Sequence, residues 1–132
     1  MEIKSKKIKK NEYQFICDTY ENRYNWGHKV KLLKNGHEIA RQRITYYNRT
    51  WECYRYQSCM NSALNIAIDE DLKRYINDYK EENGKTRLKQ EEKEALQKNY
   101  KKTENGRELY RLKKLVNGNG RDFKNQYYNM EF

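Results

Sequence analysis

Arginine and tyrosine alternate in one short segment, which has the most distinctive chemistry in the sequence. Between positions 41 and 56 only Glu52 is acidic. A guanidinium group can pair with a phosphate through two hydrogen bonds, and a neighbouring aromatic ring can stack on an unpaired base for about 1–3 kcal/mol. The segment therefore predicts a surface that contacts a partner. Its candidate contact residues are Arg41, Arg43, Tyr46, Tyr47, Arg49 and Arg55.

A second interpretation of the same segment is structural. Trp51 and Tyr54 can fill the core between a sheet and a helix, with arginine side chains extending around them to solvent. We favour this role for Trp51 and Tyr54 and retain the partner-binding role for the arginines. The aromatic tail, residues 117–132, adds Tyr127 and Tyr128 as candidate anchors, because tyrosine is frequent at interface hot spots.

The two histidines invite the question of a metal site. His28 and His37 flank a predicted hairpin, and we expect them at the protein surface, near each other across its strands. With Glu38 they supply fewer ligands than a firm zinc site requires, and no His-Glu-x-x-His motif occurs. We expect no bound metal and no cofactor.

Catalytic motifs are not found elsewhere in the sequence. There is no glycine-rich phosphate loop and no serine in a nucleophile-elbow pattern. A nuclease could use the carboxylates of Asp18, Glu21 and Glu52, but their spacing matches no known arrangement. The sequence therefore predicts a binding protein that is not an enzyme.

The elements that would position these residues begin with a sheet. Residues 1–11 carry many lysines and indicate a basic arm or an edge strand. Residues 12–47 are rich in aromatic and β-branched residues and predict three antiparallel strands. The sheet is thus three-stranded, or four-stranded if the first residues join it.

The dipeptide Asn35-Gly36 predicts a tight hairpin turn inside this sheet, because both residues readily adopt positive φ angles. A two-residue turn pairs Leu32 with Ile39 on one face. The apolar residues that follow then fall on the opposite face, so we expect a β-bulge between positions 41 and 43.

Residues 50–116 predict three or four helices after the sheet, which gives an α+β fold. The first helix carries two apolar stripes about 100° apart, and three consecutive acids at 69–71 favour a break between them, followed by an end at Gly84. Asn105 and Glu108 have the spacing of a capping box at the start of the last helix.

Composition indicates a small basic protein of one domain, residues 1–132. The 29 lysines and arginines exceed the 19 acids and give a net charge of +10. Such a protein attracts polyanions, nucleic acid first among them. Codon bias toward lysine is the alternative explanation of the charge. The 13 tyrosines supply the apolar mass for a core.

Cysteine content and hydropathy bear on the compartment. Cys17, Cys53 and Cys59 form an odd set without a Cys-x-x-Cys pair, so we expect buried or half-buried thiols and no disulfide framework. No apolar run reaches the length of a membrane span, and the first residues lack the apolar segment of a signal peptide. We expect a cytoplasmic protein, in the host cell if a phage encodes it.

The segment Ile44-Thr-Tyr-Tyr-Asn-Arg-Thr-Trp-Glu-Cys-Tyr-Arg-Tyr-Gln-Ser58 resembles a segment of short uncharacterised proteins from phages and mobile elements of low-GC Gram-positive bacteria. It covers about a tenth of the chain. The proline-free composition, rich in lysine, asparagine and tyrosine, is similar to that group, which includes anti-CRISPR inhibitors of host defence. The resemblance implies a mobile-element origin and carries no catalytic residues.

Three functions follow from these observations. The protein is an inhibitor that docks on a host nucleoprotein enzyme such as a CRISPR effector, or it binds DNA or RNA directly as an accessory or regulatory protein. Third, it is a structural module that forms a homodimer or larger oligomer through its thin apolar stripes. The positive charge excludes mimicry of DNA by an acidic surface.

Overall fold

In the part of the chain that the structure describes, four strands are followed by three helices. The computed structural model describes residues 2–21, 26–46 and 52–117, with side chains at 3–19, 21, 27–43 and 59–117. This arrangement confirms the predicted α+β class and resolves the choice for the first residues, which form an edge strand. The elements are β1 (Glu2–Ile8), β2 (Asn11–Glu21), β3 (Trp26–Lys34), β4 (His37–Tyr46), α1 (Glu52–Glu82), α2 (Gln90–Lys102) and α3 (Glu104–Asn117).

The strands form one antiparallel sheet in the order β1-β2-β3-β4. Strand β1 fits at the edge because Ile8 reaches the core with 4% of its surface exposed, while lysines occupy half of the remaining positions. Lysine is a common residue on edge strands, where its charge discourages pairing with another sheet. The lysine-rich start therefore remains compatible with a strand.

The Asn35-Gly36 turn between β3 and β4 is confirmed, with φ angles of +52° and +83°. The predicted pairing of Leu32 with Ile39 is wrong, because Ile39 is an extra residue that forms a β-bulge after the first two paired residues of β4. Leu32 pairs with Ala40 instead. The bulge restores the alternation of buried residues along β4, so none is needed at positions 41–43.

The core lies between the sheet and α1, on the face of the sheet that we call the helix face. Strands β2 and β3 contribute Tyr13, Phe15, Cys17, Val30 and Leu32, and α1 contributes Cys59, Met60, Ala63, Leu64 and Ala67. Two of the three thiols are thus buried as predicted, and the side chain of Cys53 lies outside the described residues. The Sγ atom of Cys59 lies 3.2 Å from the carbonyl oxygen of Gln42, which fixes α1 against β4.

The predicted break at 69–71 is wrong, since α1 continues from Glu52 to Glu82. Its two apolar stripes have different partners. The residues before the acids pack on the sheet, whereas Tyr75 contacts Tyr100 of α2, with ring centroids 5.9 Å apart. The helix ends as predicted: Gly84 has a φ angle of +62°, and its amide donates to Glu81 at 3.3 Å.

The capping box predicted from Asn105 and Glu108 is wrong. Thr103 caps α3 instead: its hydroxyl accepts a hydrogen bond from the amide of Gly106 at 3.1 Å. Asn105 accepts a hydrogen bond from the ammonium group of Lys34 at 2.5 Å, which leaves it facing the hairpin. Glu108 is buried against the sheet, so its carboxylate is not available to the helix start.

Candidate nucleic-acid interface

Side chains alternate between the two faces of each strand, and the two faces differ sharply. Along β2, Tyr13, Phe15 and Cys17 are buried on the helix face. Gln14 and Ile16 point to the opposite side and keep part of their surface exposed. We call this opposite side the open face.

Four cations gather on the open face where β3 meets β4. Lys31 pairs with Arg41, and Lys29 pairs with Arg43. Paired residues on neighbouring strands have their Cβ atoms about 4.5–5.5 Å apart, and alternate residues along one strand are about 6.7 Å apart. All four side chains are exposed. We refer to Lys29, Lys31, Arg41 and Arg43 as the basic quartet.

Two acids border the basic quartet without balancing its charge. Glu38 forms an ion pair with Arg41 at 2.6 Å, although the Arg41 side chain stays 71% exposed. Asp18 is the β2 partner of Lys29. Exposed ion pairs contribute little to stability, typically 0.2–1 kcal/mol, so an incoming phosphate can replace Glu38. With these two acids counted, the region keeps two positive charges in excess.

Two of the eight residues predicted for the site have described side chains, Arg41 and Arg43, and the fold brings them together. The backbone of Tyr46 ends β4, and Arg55 lies in the first turn of α1, but their side chains fall outside the described residues. The others lie outside the described residues altogether. They are Tyr47, Arg49, Tyr127 and Tyr128.

Sequence reasoning missed Lys29 and Lys31. Both alternate with the buried residues Val30 and Leu32, so the strand pattern already placed the lysines on the face away from the core. The signal that could have found them is the hairpin register. Counting from Asn35-Gly36 with the bulge included puts each lysine opposite an arginine.

The predicted arrangement of the histidines is wrong. His28 pairs with Ile44 at one end of the hairpin, whereas His37 pairs with Lys34 next to the turn. Lys34 and His28 are six positions apart on β3, which corresponds to about 20 Å of strand. His28 is also buried, at 1% exposure, because it points to the helix face. Among the described residues no three histidine, cysteine or acidic side chains form a cluster that could hold a metal ion.

The carboxylates considered for a nuclease do not converge within the described residues. Asp18 and Glu21 lie three residues apart on β2, so they project from opposite faces of the sheet. The side chain of Glu52 lies outside the described part of α1. The described strand therefore presents no paired carboxylates at this location.

A buried carboxylate joins α3 to the sheet. Glu108, 3% exposed, accepts hydrogen bonds from the Tyr13 hydroxyl at 2.5 Å and from the Asn11 amide at 2.9 Å. The pKa of the Tyr13 phenol lies well above its ordinary value. Burial is the main cause, and the hydrogen bond to Glu108 raises the pKa further. These contacts satisfy the carboxylate within the protein, so the cluster holds the structure together.

A cleft of about 480 Å³ lies between the C-terminal half of α1 and the corner between α2 and α3. Asp71 lines it and accepts a hydrogen bond from the hydroxyl of Tyr100 at 2.8 Å. Arg74 lies 3.6 Å from the same carboxylate. Asp71 is thus bound by Tyr100 and Arg74 within the protein, and the stronger candidate for a site remains the basic quartet.

Comparison with known proteins adds no relative. No family model, curated protein or solved structure matches the chain. The resemblance of residues 44–58 to phage proteins therefore stays a prediction. Among the described helices, none combines the length and apolar character needed to cross a membrane.

Proposed function

We propose that this protein is a non-enzymatic binding protein that holds nucleic acid against the open face of its sheet. The nucleic acid is either free or part of a host nucleoprotein enzyme. The basic quartet contacts the phosphates. The excess of 10 positive charges over the whole molecule accelerates the encounter.

The observation that supports this proposal is the pairing of like charges across β3 and β4. Positive side chains directly opposite each other destabilise a sheet, and two such pairs stand side by side here. A phosphate placed between the members of a pair converts this repulsion into attraction. The arrangement is thus suited to an anionic partner with repeated charges.

The two kinds of cation have different roles in such contacts. Arg41 and Arg43 line the edge strand, where their planar guanidinium groups can form two hydrogen bonds with one phosphate. Lys29 and Lys31 lie one strand further in and act as point charges with three donors each. Contacts of this kind recognise the backbone of a nucleic acid and carry no information about its base sequence.

The biological setting that we propose is a phage or mobile element, on the resemblance of residues 44–58. In that setting, the partner is a host nucleoprotein such as a CRISPR effector, and the protein acts as an anti-CRISPR-type inhibitor. It would then grip exposed RNA or DNA on the enzyme. Direct binding of free nucleic acid, as an accessory or regulatory protein, uses the same surface.

The proposal is tested by the salt dependence of binding. In the quartet variant, Lys29, Lys31, Arg41 and Arg43 are all replaced by Gln. A matched control variant removes four exposed cations from the helical part of the chain, one in the loop before α2 and three on α2 and α3, by the substitutions Arg87→Gln, Lys93→Gln, Lys98→Gln and Lys114→Gln. Both variants lose the same net charge, so the difference between them isolates the site.

Fluorescence anisotropy with a labelled oligonucleotide gives the dissociation constant between about 50 and 200 mM salt. Each phosphate contact contributes about 0.7 to the slope of log affinity against log salt for a single strand, and about 0.9 for duplex DNA. We expect the quartet variant to lose two to four such contacts and the control variant to keep its slope. Equal slopes for the two variants would refute the site.

A further inference from the structure

Three apolar residues lie next to the basic quartet on the open face. Ile3 of β1 pairs with Ile16 of β2, and Ile16 pairs in turn with Lys31 of the basic quartet. Leu33 lies two residues along β3 from Lys31, on the same face. We call Ile3, Ile16 and Leu33 the apolar strip. Its outermost member, Ile3, keeps 54% of its surface exposed.

We propose that the open face binds single-stranded nucleic acid in preference to duplex, with phosphates on the basic quartet and bases on the apolar strip. This inference rests on the function proposed above and specifies the form of its ligand. A single strand has both properties that the face requires, because charged phosphates run along one side and unpaired bases project from the other. Contact between a base and aliphatic side chains removes apolar surface from water, which lowers the free energy of the complex.

The placement of the apolar strip beside the basic quartet fits one strand of nucleic acid. The two groups meet at Ile16 and Lys31, which face each other across β2 and β3 at a Cβ separation of about 4.5–5.5 Å, and Leu33 follows Lys31 along β3. A phosphate on Lys31 or Arg41 therefore places its attached nucleotide within reach of the apolar strip. The polar neighbours Ser5 and Gln14 lie in the next row and supply hydrogen-bonding groups to base edges.

A duplex cannot use the apolar strip in this way. Its bases are stacked and paired inside the helix, and their edges are reached only through the grooves. The four strands of the sheet span about 14 Å from the axis of β1 to that of β4. The major groove is about 12 Å wide and admits a two-stranded ribbon. The full sheet face therefore meets a duplex only at its phosphates.

The experiment compares two probes on three proteins. The probes are a labelled single strand with all its bases and an abasic strand of the same length, which keeps the phosphates and lacks the bases. The proteins are the natural chain, the quartet variant, and a strip variant with Ile3→Thr, Ile16→Thr and Leu33→Thr. Threonine keeps the preference for a strand, and circular dichroism checks that the strip variant folds.

We expect the natural chain to bind the normal strand roughly tenfold more tightly than the abasic strand and than a duplex of equal length. The strip variant should lose this tenfold preference and keep its affinity for the abasic strand. The comparison of the two probes on the natural chain needs no variant, so a misfolded strip variant does not compromise the test.

Two outcomes would overturn the inference in distinguishable ways. If the natural chain binds normal and abasic strands equally, and the quartet variant binds neither, the basic quartet grips phosphates and the apolar strip contacts no base. The function proposed above would then stand without this refinement. If the natural chain binds no nucleic acid at about 50 mM salt, both proposals fail, and the open face fits an acidic protein surface instead.

Discussion

Lys31 on β3 and Arg41 on β4 are directly paired across the sheet, so two positive side chains share one position on the open face. Such a pair opposes folding, because like charges at a Cβ separation of about 5 Å repel each other. Glu38 forms an exposed ion pair with Arg41, with 2.6 Å between the two side chains, and so compensates the charge of Arg41 alone. A substitution that removes the repulsion should therefore raise the stability of the fold and lower its affinity for an anionic partner.

The substitution Lys31→Glu should stabilise the folded protein and weaken its binding to nucleic acid. It replaces a repulsive pair with an attractive one, which is worth about 0.2–1 kcal/mol. Urea unfolding at low salt measures the gain in the free energy of unfolding. The gain should shrink in 1 M salt, where the screening length falls to about 3 Å.

The same face provides a matched control for this prediction. Lys7 on β1 pairs with Glu12 on β2, so Lys7→Glu makes the same charge change but creates a repulsive pair. We expect this variant to lose about 0.2–1 kcal/mol. If both variants shift stability in the same direction, the effect comes from net charge and the cross-strand pairing of Lys31 with Arg41 is energetically silent.

Replacing Glu108 with Ala should destabilise the protein by about 2–4 kcal/mol. The change leaves the buried hydroxyl of Tyr13 and the amide of Asn11 without their acceptor, and each lost partner costs about 1–3 kcal/mol. Chemical denaturation measures the loss. The control is Glu104→Ala, an exposed acid in the first turn of α3, for which we expect at most about 1 kcal/mol. Similar losses for both acids would mean that Glu108 contributes only through the helix dipole.

The hairpin could be predicted from the sequence because its signal is local. Asn35 and Gly36 readily adopt positive φ angles, and the structure has both of them there, so these two residues define the turn. The position of the bulge at Ile39 was not predictable in the same way. It depends on which residue of β4 fits beneath α1, and the small Ala40 fills that position.

The break predicted in α1 failed for a related reason. A shift in the apolar stripe predicts two helices, but it arises here because Tyr75 packs against another helix whereas Met60 lies in the core beside the sheet. Half of the basic quartet was predicted from Arg41 and Arg43. The two lysines cannot be assigned to the site from their own strand, because charged residues that alternate along one strand usually form a solvated face. Only the register with β4 places them opposite the arginines.

The substitution Gly106→Ala should destabilise the corner between α2 and α3. A Cβ atom at this position would meet the carbonyl oxygen of Tyr100 and lie 2.9 Å from the hydroxyl oxygen of Thr103. The contact with the backbone cannot be relieved by a side-chain rotation, so we expect a loss of about 1–3 kcal/mol or more. Thermal unfolding measures it. Arg107→Ala, at the exposed neighbouring position, is the control and should change stability by less than about 0.5 kcal/mol.

Two buried phenols should make the folded protein sensitive to alkaline pH. The pKa values of Tyr13 and Tyr100 lie well above the ordinary value near 10. Burial is the main cause for each phenol, and a hydrogen bond to a carboxylate adds to it. Above about pH 10 the tyrosines of the unfolded chain release their protons, whereas the folded protein retains them. Stability is therefore full below pH 10 and falls as pH rises, by about 1.4 kcal/mol per pH unit for each tyrosine.

The variant Tyr100→Phe separates this effect from the titration of other groups. At pH 8 it should be less stable than the natural chain, because it loses the bond from the phenol to Asp71 at 2.8 Å. Above pH 10 the deficit should narrow by about 1.4 kcal/mol per pH unit, since phenylalanine has no proton to release. Urea unfolding at intervals from pH 8 to pH 11 follows the difference. A deficit that stays constant over this range would show that Tyr100 titrates in the folded protein as it does in the unfolded chain.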